Sequence, residues 1–313
     1  MMEDLVLPFE VKPLGIRGRV VRLGPVIDDI LSRHDYPASV AGLLAQSVAL
    51  AALLGTTLKF DGKFILQTKT DGPVNMLVAD FQSPNAVRGV ARHVKSQVAS
   101  LGETPSEMAL LGEGYLAMTV DQGADMERYQ GIVALGGAHG KGSLVDAAHT
   151  YFQQSEQIPT RLQLAAGPLL MRGDKGQHWR TGAILIQHLP REGGIKPADL
   201  PPGDVPEGVD FDIQEDDDWV KAKLLLDTVE HHELLDPTLS AEDLLYRLYH
   251  EDGVTVYPAI SLKRHCTCSR ETVSDMLKNF TPQDRADMIK DDAIEVVCEF
   301  CSTAYRFKPA EFS

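Results

Sequence analysis

All four cysteines of this 313-residue chain lie in two close pairs near its C-terminal end, in HCTCSR and VVCEFCST: Cys266, Cys268, Cys298 and Cys301. A Cys-x-Cys on an extended segment turns both side chains to one face. A Cys-x-x-Cys across a tight turn does the same. The 29 residues between the pairs, Ser269 to Val297, accommodate a helix over RETVSDMLKNF, a Thr281-Pro282 turn, a short helix over QDRADMIK and a returning strand, AIEVVC. The second pair can thus face the first. Four thiolates can then surround one ion at about 2.3 Å, the closed tetrahedral arrangement of structural zinc. We expect Cys266, Cys268, Cys298 and Cys301 to bind one zinc ion. A unit of roughly fifty residues has little core of its own and benefits from such a staple. Two structural disulfides, or four unrelated thiols, are the other readings of the same residues.

The surroundings bear on that choice. The N-terminal MMEDLVLPFE is acidic and lacks a basic stretch followed by an apolar run, so no secretory signal is expected. A cytoplasmic, reducing location follows, where structural disulfides are rare. Hydrophobic residues make up 43% of the chain and charged ones 24%, enough to bury a sizeable core. The net charge of −15 argues against nucleic-acid binding, which needs a basic face. Pro37 to Leu58 carries no charge and approaches the length of a membrane span. Its alanine richness, with Gly42, Gln46 and Ser47, favours a buried helix instead, and no membrane association is expected.

Three regions follow. Residues 1–190 read as an α+β core with a mostly antiparallel sheet. Asp61-Gly62 and Asp71-Gly72 are hairpin signals flanking KFILQTKT. AVRGVARH, YLAMTVD, YQGIVAL, TRLQLAA and TGAILIQHL are further strand candidates, and Ala38–Leu54 and Ser143–Gln154 are helix candidates. Residues 191–253 hold eighteen acidic and five basic residues, a net of −13. They open with a Pro/Gly-rich insertion over Arg191–Asp218, whose composition cannot pack a core. A helical linker follows. Asp216, Asp217 and Asp218 precede WVKAKLLLDTVEHHELL, which suits a helix N-terminus. Ser240 and Asp243 form a capping pair before LLYRLYH, and Gly253 is a stop. Trp219, Leu224, Leu225, Leu244, Leu245 and Leu248 supply apolar faces amid charge that opposes compaction. Residues 254–313 form the small C-terminal zinc domain.

Catalytic signatures are missing from this sequence, and no enzyme is expected. GGAHGKGS lacks the lysine position of a phosphate loop, and EHHELLD has Asp236 where a zinc-protease helix needs its second histidine. Isolated histidines such as His93 and His188 read as structural. Lys263, Arg264, His265 and Arg270 flank the first cysteine pair, where they would offset thiolate charge and keep sulfur nucleophilic. A structural zinc knuckle and an oxidation-sensitive switch both remain open on this chemistry. A thiol–disulfide oxidoreductase using Cys298 and Cys301 would need a βαβ pattern that does not precede the motif. A zinc-bearing nucleic-acid binder meets the same charge objection as above.

RYQGIVAL, YFQQSEQIPTRLQLA and YPAISLKRHCTCSRETVSDMLKNF, together with the Cys-x-Cys, 29-residue, Cys-x-x-Cys arrangement, resemble the bacterial redox-regulated holdase chaperones of the heat-shock protein 33 family. The resemblance implies an N-terminal α+β core, a metastable helical linker and a C-terminal zinc domain. It implies a cytoplasmic protein that is inactive when reduced and zinc-bound. On oxidation such a protein forms disulfides joining Cys266 to Cys268 and Cys298 to Cys301. It then loses zinc, forms a homodimer and holds unfolding client proteins without ATP. The acidic insertion over Arg191–Asp218 departs from the family pattern.

Overall fold

The computed structural model describes residues 3–123, 128–136, 142–169, 178–189 and 216–312. Most of the acidic insertion lies outside these residues, as does the centre of GGAHGKGS. Nine strands form the N-terminal part: β1 (Leu5–Val11), β2 (Ile16–Leu23), β3 (Lys63–Thr70), β4 (Val74–Gln82), β5 (Ala86–His93), β6 (Gly114–Asp121), β7 (Tyr129–Leu135), β8 (Thr160–Leu169) and β9 (His178–His188). Three short strands follow the linker, β10 (Thr255–Val256), β11 (Ile260–Ser261) and β12 (Lys263–Arg264), and three more close the chain, β13 (Ile289–Lys290), β14 (Ala293–Val297) and β15 (Ala304–Phe307). The helices are α1 (Pro25–Leu31), α2 (Ala38–Gly55), α3 (Lys95–Ser100), α4 (Glu107–Leu111), α5 (Leu144–Tyr151), α6 (Asp217–Asp227), α7 (His231–Leu235), α8 (Ala241–Tyr249), α9 (Arg270–Lys278) and α10 (Pro282–Asp287).

The α+β expectation holds, with the N-terminal strands divided between two sheets. One runs β10-β1-β2-β9-β8 with β11 also on β1; the other runs β12-β5-β4-β3-β6-β7. All described pairings are antiparallel except β12 on β5. Asp71-Gly72 does join β3 to β4 as a hairpin. Asp61-Gly62 does not make one: α2 runs on to Gly55, and Leu58–Phe60 is irregular. The hairpin of β1 and β2, paired from Leu5↔Arg22 to Val11↔Ile16, has no counterpart among the strand candidates read from sequence.

Helix α2 lies in the core between the two sheets. Fourteen of its eighteen residues are buried, and Leu44, Val48 and Leu53 pack with Val21, Leu77, Leu116 and Leu185. It is long and apolar enough to cross a membrane, yet this burial supplies a sufficient reason for its composition. Alanine lets the sheets approach closely, and the Ser47 hydroxyl is satisfied by donating to the Leu43 carbonyl at 2.9 Å.

Strand alternation gives the first sheet a second apolar face. Val6, Val21, Ala183 and Leu185 point to α2. Leu7, Phe9, Val20, Ile184 and Ile186 point the other way, onto Trp219, Leu226, Leu234, Leu245 and Tyr249 of the linker. Among the described residues the linker holds three helices rather than two. The apolar stripe of α6 is Trp219, Ala222 and Leu226, spaced i, i+3, i+7; Leu224, expected on that face, is 63% exposed. Two features hold α7 against the sheet. Gly182 of β9 leaves room for its backbone, because a Cβ there would stand 2.4 Å from the Leu234 carbonyl oxygen. Buried Arg22 donates to the carbonyls of Glu233 at 2.6 Å and Asp236 at 2.7 Å. These are carbonyls at the end of a helix, where a cation is favoured. Burial, then the neighbouring Arg180, lowers the Arg22 pKa to about 10.

Candidate metal centre

The chain reaches the first cysteine pair along the N-terminal sheets. β10 and β11 pair with β1, β12 pairs with β5, and the His265 amide still donates to the Val87 carbonyl at 3.1 Å. The path continues without regular structure through Cys266 and Cys268 to Ser269, whose hydroxyl caps α9 by accepting from the Thr272 amide. The second pair sits in the turn between β14 and β15. Cys298 closes that turn by accepting from the Ser302 amide at 2.8 Å and donating to the Thr303 carbonyl at 3.0 Å. Ser302 takes the left-handed conformation with φ 54°. Helices α9 and α10 span the interval, as their sequences predict. The core of this unit is small: Val273, Leu277, Ile294 and Phe307 are its buried members.

The four sulfurs converge within 4.8 Å of one another. Sulfurs about 2.3 Å from a shared ion in tetrahedral geometry stand roughly 3.8 Å apart. Cys266 and Cys298 Sγ are 3.7 Å apart, and Cys268 and Cys301 Sγ are 3.3 Å apart. The donor set and its spacing fit zinc. Both of these approaches run between the motifs rather than within them, so proximity alone does not select a disulfide pairing.

Thiol chemistry points the same way. Cys298 is raised, burial being the largest cause. Cys268 is pushed up to about 12, by burial first and then by hydrogen bonding to the other cysteines, against the opposing effect of the Tyr305 hydroxyl. Burial also raises Cys301, but the Thr303 hydroxyl and amide, then the Cys268 and Cys298 thiols, stabilise its thiolate and bring it down to about 6. Four crowded thiols cannot all ionise without a cation to balance them. A divalent ion would draw off the remaining protons as it bound.

Two of the four flanking groups are engaged away from the sulfurs. Arg264 pairs with Asp29 of α1. Arg270 pairs with Glu311 at 2.9 Å and lies 4.3 Å over the Phe307 ring. The groups beside sulfur are instead Thr303, 3.2 Å from Cys301 Sγ, and Tyr305, whose hydroxyl donates to Cys268 Sγ at 3.2 Å.

The unit is docked on the N-terminal core through β5 and α1. Arg88 holds Asp80, donates to the Thr267 hydroxyl at 3.1 Å, and stacks 4.0 Å over the Phe300 ring. Arg92 pairs with Glu299. The His34 ring lies between the Phe300 carbonyl and the Ser302 hydroxyl, at 3.4 and 3.3 Å. Sequence reading missed these contacts; a Cys-x-x-Cys turn with an aromatic residue between the ligands was the available signal. That turn belongs to a β-hairpin rather than to the start of a helix after a strand, as an oxidoreductase motif would require.

Comparison with known proteins agrees with this fold. The family model described as Hsp33 protein matches residues 4–308. The 33 kDa chaperonin of Caulobacter vibrioides is 40% identical over 315 residues, covering 99% of this chain and 96% of the relative. That of Escherichia coli is 33% identical over 301 residues, covering 96% and 90%. The crystal structure of the 33 kDa chaperonin from Thermotoga maritima superposes with a TM-score of 0.78 at 22% identity, covering 99% of this chain and 96% of that one. That last likeness bears on fold alone. With its family model spanning nearly the whole sequence and curated relatives matched over nearly their full length, this chain belongs to the Hsp33 family of chaperones.

Proposed function

We propose that the protein is a cytoplasmic, redox-regulated and ATP-independent holdase. It rests in the reduced, zinc-bound form and binds unfolding proteins when oxidised. The observation that carries this reading is the apolar sheet face covered by α6, α7 and α8, with the chain running from that cover through β10–β12 into the cysteine cluster. When bound, zinc would hold four thiolates and staple a unit whose own core is too small to secure it. Peroxide can oxidise each pair of thiols to a disulfide, two protons and two electrons passing to the oxidant and leaving water. We assign the pairs as Cys266–Cys268 and Cys298–Cys301, following the family. Disulfide sulfurs no longer supply four thiolates, so oxidation proceeds with loss of the metal and loosening of residues 254–313.

The linker, residues 191–253 in this division of the chain, then loses the anchor at its C-terminal end. Its charge opposes compaction, and leaving the sheet would bare Leu7, Phe9, Val20, Ile184 and Ile186. An exposed apolar face of this kind suits partly unfolded clients and a second copy of the chain, and we propose a homodimer on activation. The N-terminal core over residues 1–190 stays folded and carries the client surface.

The test is hydrogen exchange, zinc content and suppression of client aggregation, each measured before and after peroxide treatment. Loss of zinc and of protection over residues 217–249, with gain of aggregation suppression and the β3–β6 sheet unchanged, is expected. Equal protection in both states would remove the linker from the mechanism. Turnover of a disulfide substrate by the reduced protein would favour an oxidoreductase instead.

A further inference from the structure

Far from the cysteine cluster, a cleft of about 410 Å³ opens between the two N-terminal sheets, beyond the C-terminal end of α2. Leu58, Phe60, Phe64 and Phe152 contribute apolar and aromatic wall. Two arginines of β2, Arg17 and Arg19, enter it together, because residues two apart on a strand share a face. On that same face Val21 and Leu23 go on to build the core. Two cations therefore occupy the position where the interlayer core would otherwise continue.

Neither arginine has a counterion among the described residues. Arg17 donates to the Gln187 amide oxygen at 3.4 Å. Among the described residues Arg19 makes no hydrogen bond or ion pair, and its Nε is buried without a partner. Burial, then the neighbouring Arg17, lowers the Arg19 pKa, as expected for a desolvated cation beside a like charge. Lys59 adds a third positive residue to the wall. Glu156 also lines the cleft, but its carboxylate accepts from the Tyr151 hydroxyl at 2.9 Å and pairs with neither arginine. This locally positive cleft sits on a chain of net charge −15. Arg17 is exposed and Arg19 half-buried, but the Arg19 Nε is buried without an acceptor; an anion at the cleft would give the pair a counterion while its apolar body filled the aromatic wall.

We propose that this cleft is a binding site for a small amphipathic anion, with a carboxylate-type head on Arg17 and Arg19 and an apolar body against Leu58, Phe60 and Phe152. The shared chemistry admits an acyl chain or an aromatic ring system as the body. Calorimetric titration of the reduced, zinc-loaded protein with decanoate and with 1-naphthoate distinguishes them, the tighter ligand naming the body. Decyltrimethylammonium, with the same chain length and opposite charge, is the control. One equivalent of an anion should bind with Arg17 and Arg19 intact, and the cation should not. Arg19→Met keeps the apolar stem and removes the charge. It should weaken binding about tenfold to a hundredfold. Lys95→Met, at an exposed position outside the cleft lining, should leave it unchanged. No saturable binding of either anion, equal binding of the ammonium control, or undiminished affinity in Arg19→Met with native-like hydrogen exchange would each overturn the assignment.

Discussion

Replacing Gly182 with Ala tests whether close packing of α7 on β9 keeps the linker in place. The added Cβ would lie 2.4 Å from the Leu234 carbonyl oxygen, 3.0 Å from Leu234 Cβ and 3.1 Å from its carbonyl carbon. Gly182 is not among the residues with positive φ, so alanine needs no new backbone conformation and its effect falls on the helix above it. Real Cβ contacts stay above 3.0 Å, so the carbonyl must retreat by about 0.6 Å at least. The Arg22 bonds to Glu233 and Asp236, at 2.6 and 2.7 Å, then stretch toward the ~3.2 Å limit of a good hydrogen bond. Overpacking of this kind costs about 1–3 kcal/mol. That corresponds to a roughly five- to 150-fold rise in the undocked linker population. Exchange of amides in residues 217–249 of the reduced, zinc-loaded variant should accelerate by that factor, while β3, β4 and β6 exchange as before. The same sample should suppress client aggregation without oxidant. Unchanged exchange over 217–249 would refute the reasoning, because it would mean that α7 is not held by this contact.

Cys298→Ser should abolish stoichiometric zinc and loosen the β14–β15 hairpin, as read by metal analysis and proton NMR; full zinc retention would rule out ligation by all four cysteines. Phe300→Ala removes the ring beneath Arg88 without unpairing Asp80, a loss of about 1 kcal/mol. Zinc content should be unchanged while alkylation of the cysteines quickens several-fold, and an unaltered rate would show that the stack does not restrain the unit. Timed peroxide exposure followed by peptide mapping should find the Cys298–Cys301 bond first. Cys298 and Cys301 already share the tight β14–β15 turn, whereas bridging Cys266 to Cys268 requires an extended segment to bend. Early Cys266–Cys268 disulfide with free Cys298 would reverse that order.

The cysteine cluster was legible in sequence because ligand chemistry and short spacing are local properties. Two pairs, each converging on one side, need only a returning strand to meet, and the sequences of α9, α10 and β14 encode that return. The cap at Ser240 was readable for the same reason, since it involves residues three apart. The first hairpin was not. LVLPFEV buries residues on both sides of its sheet, so it lacks the alternation by which a half-exposed strand declares itself. Nor could sequence say which of Leu224, Leu225 and Leu226 would face inward. Three consecutive leucines fit several helical stripes, and the sheet beneath α6 selected the one through Ala222 and Leu226. Likewise Arg264 and Arg270 adjoin the cysteines in sequence but turn to Asp29 and Glu311, whereas Arg88, 178 residues before Cys266 in the sequence, lies against the ring between Cys298 and Cys301. Local propensity and donor chemistry act over a few residues. The choice of face and of charge partner depends on what the rest of the chain brings opposite, and that was decided only when the two sheets and the linker packed together.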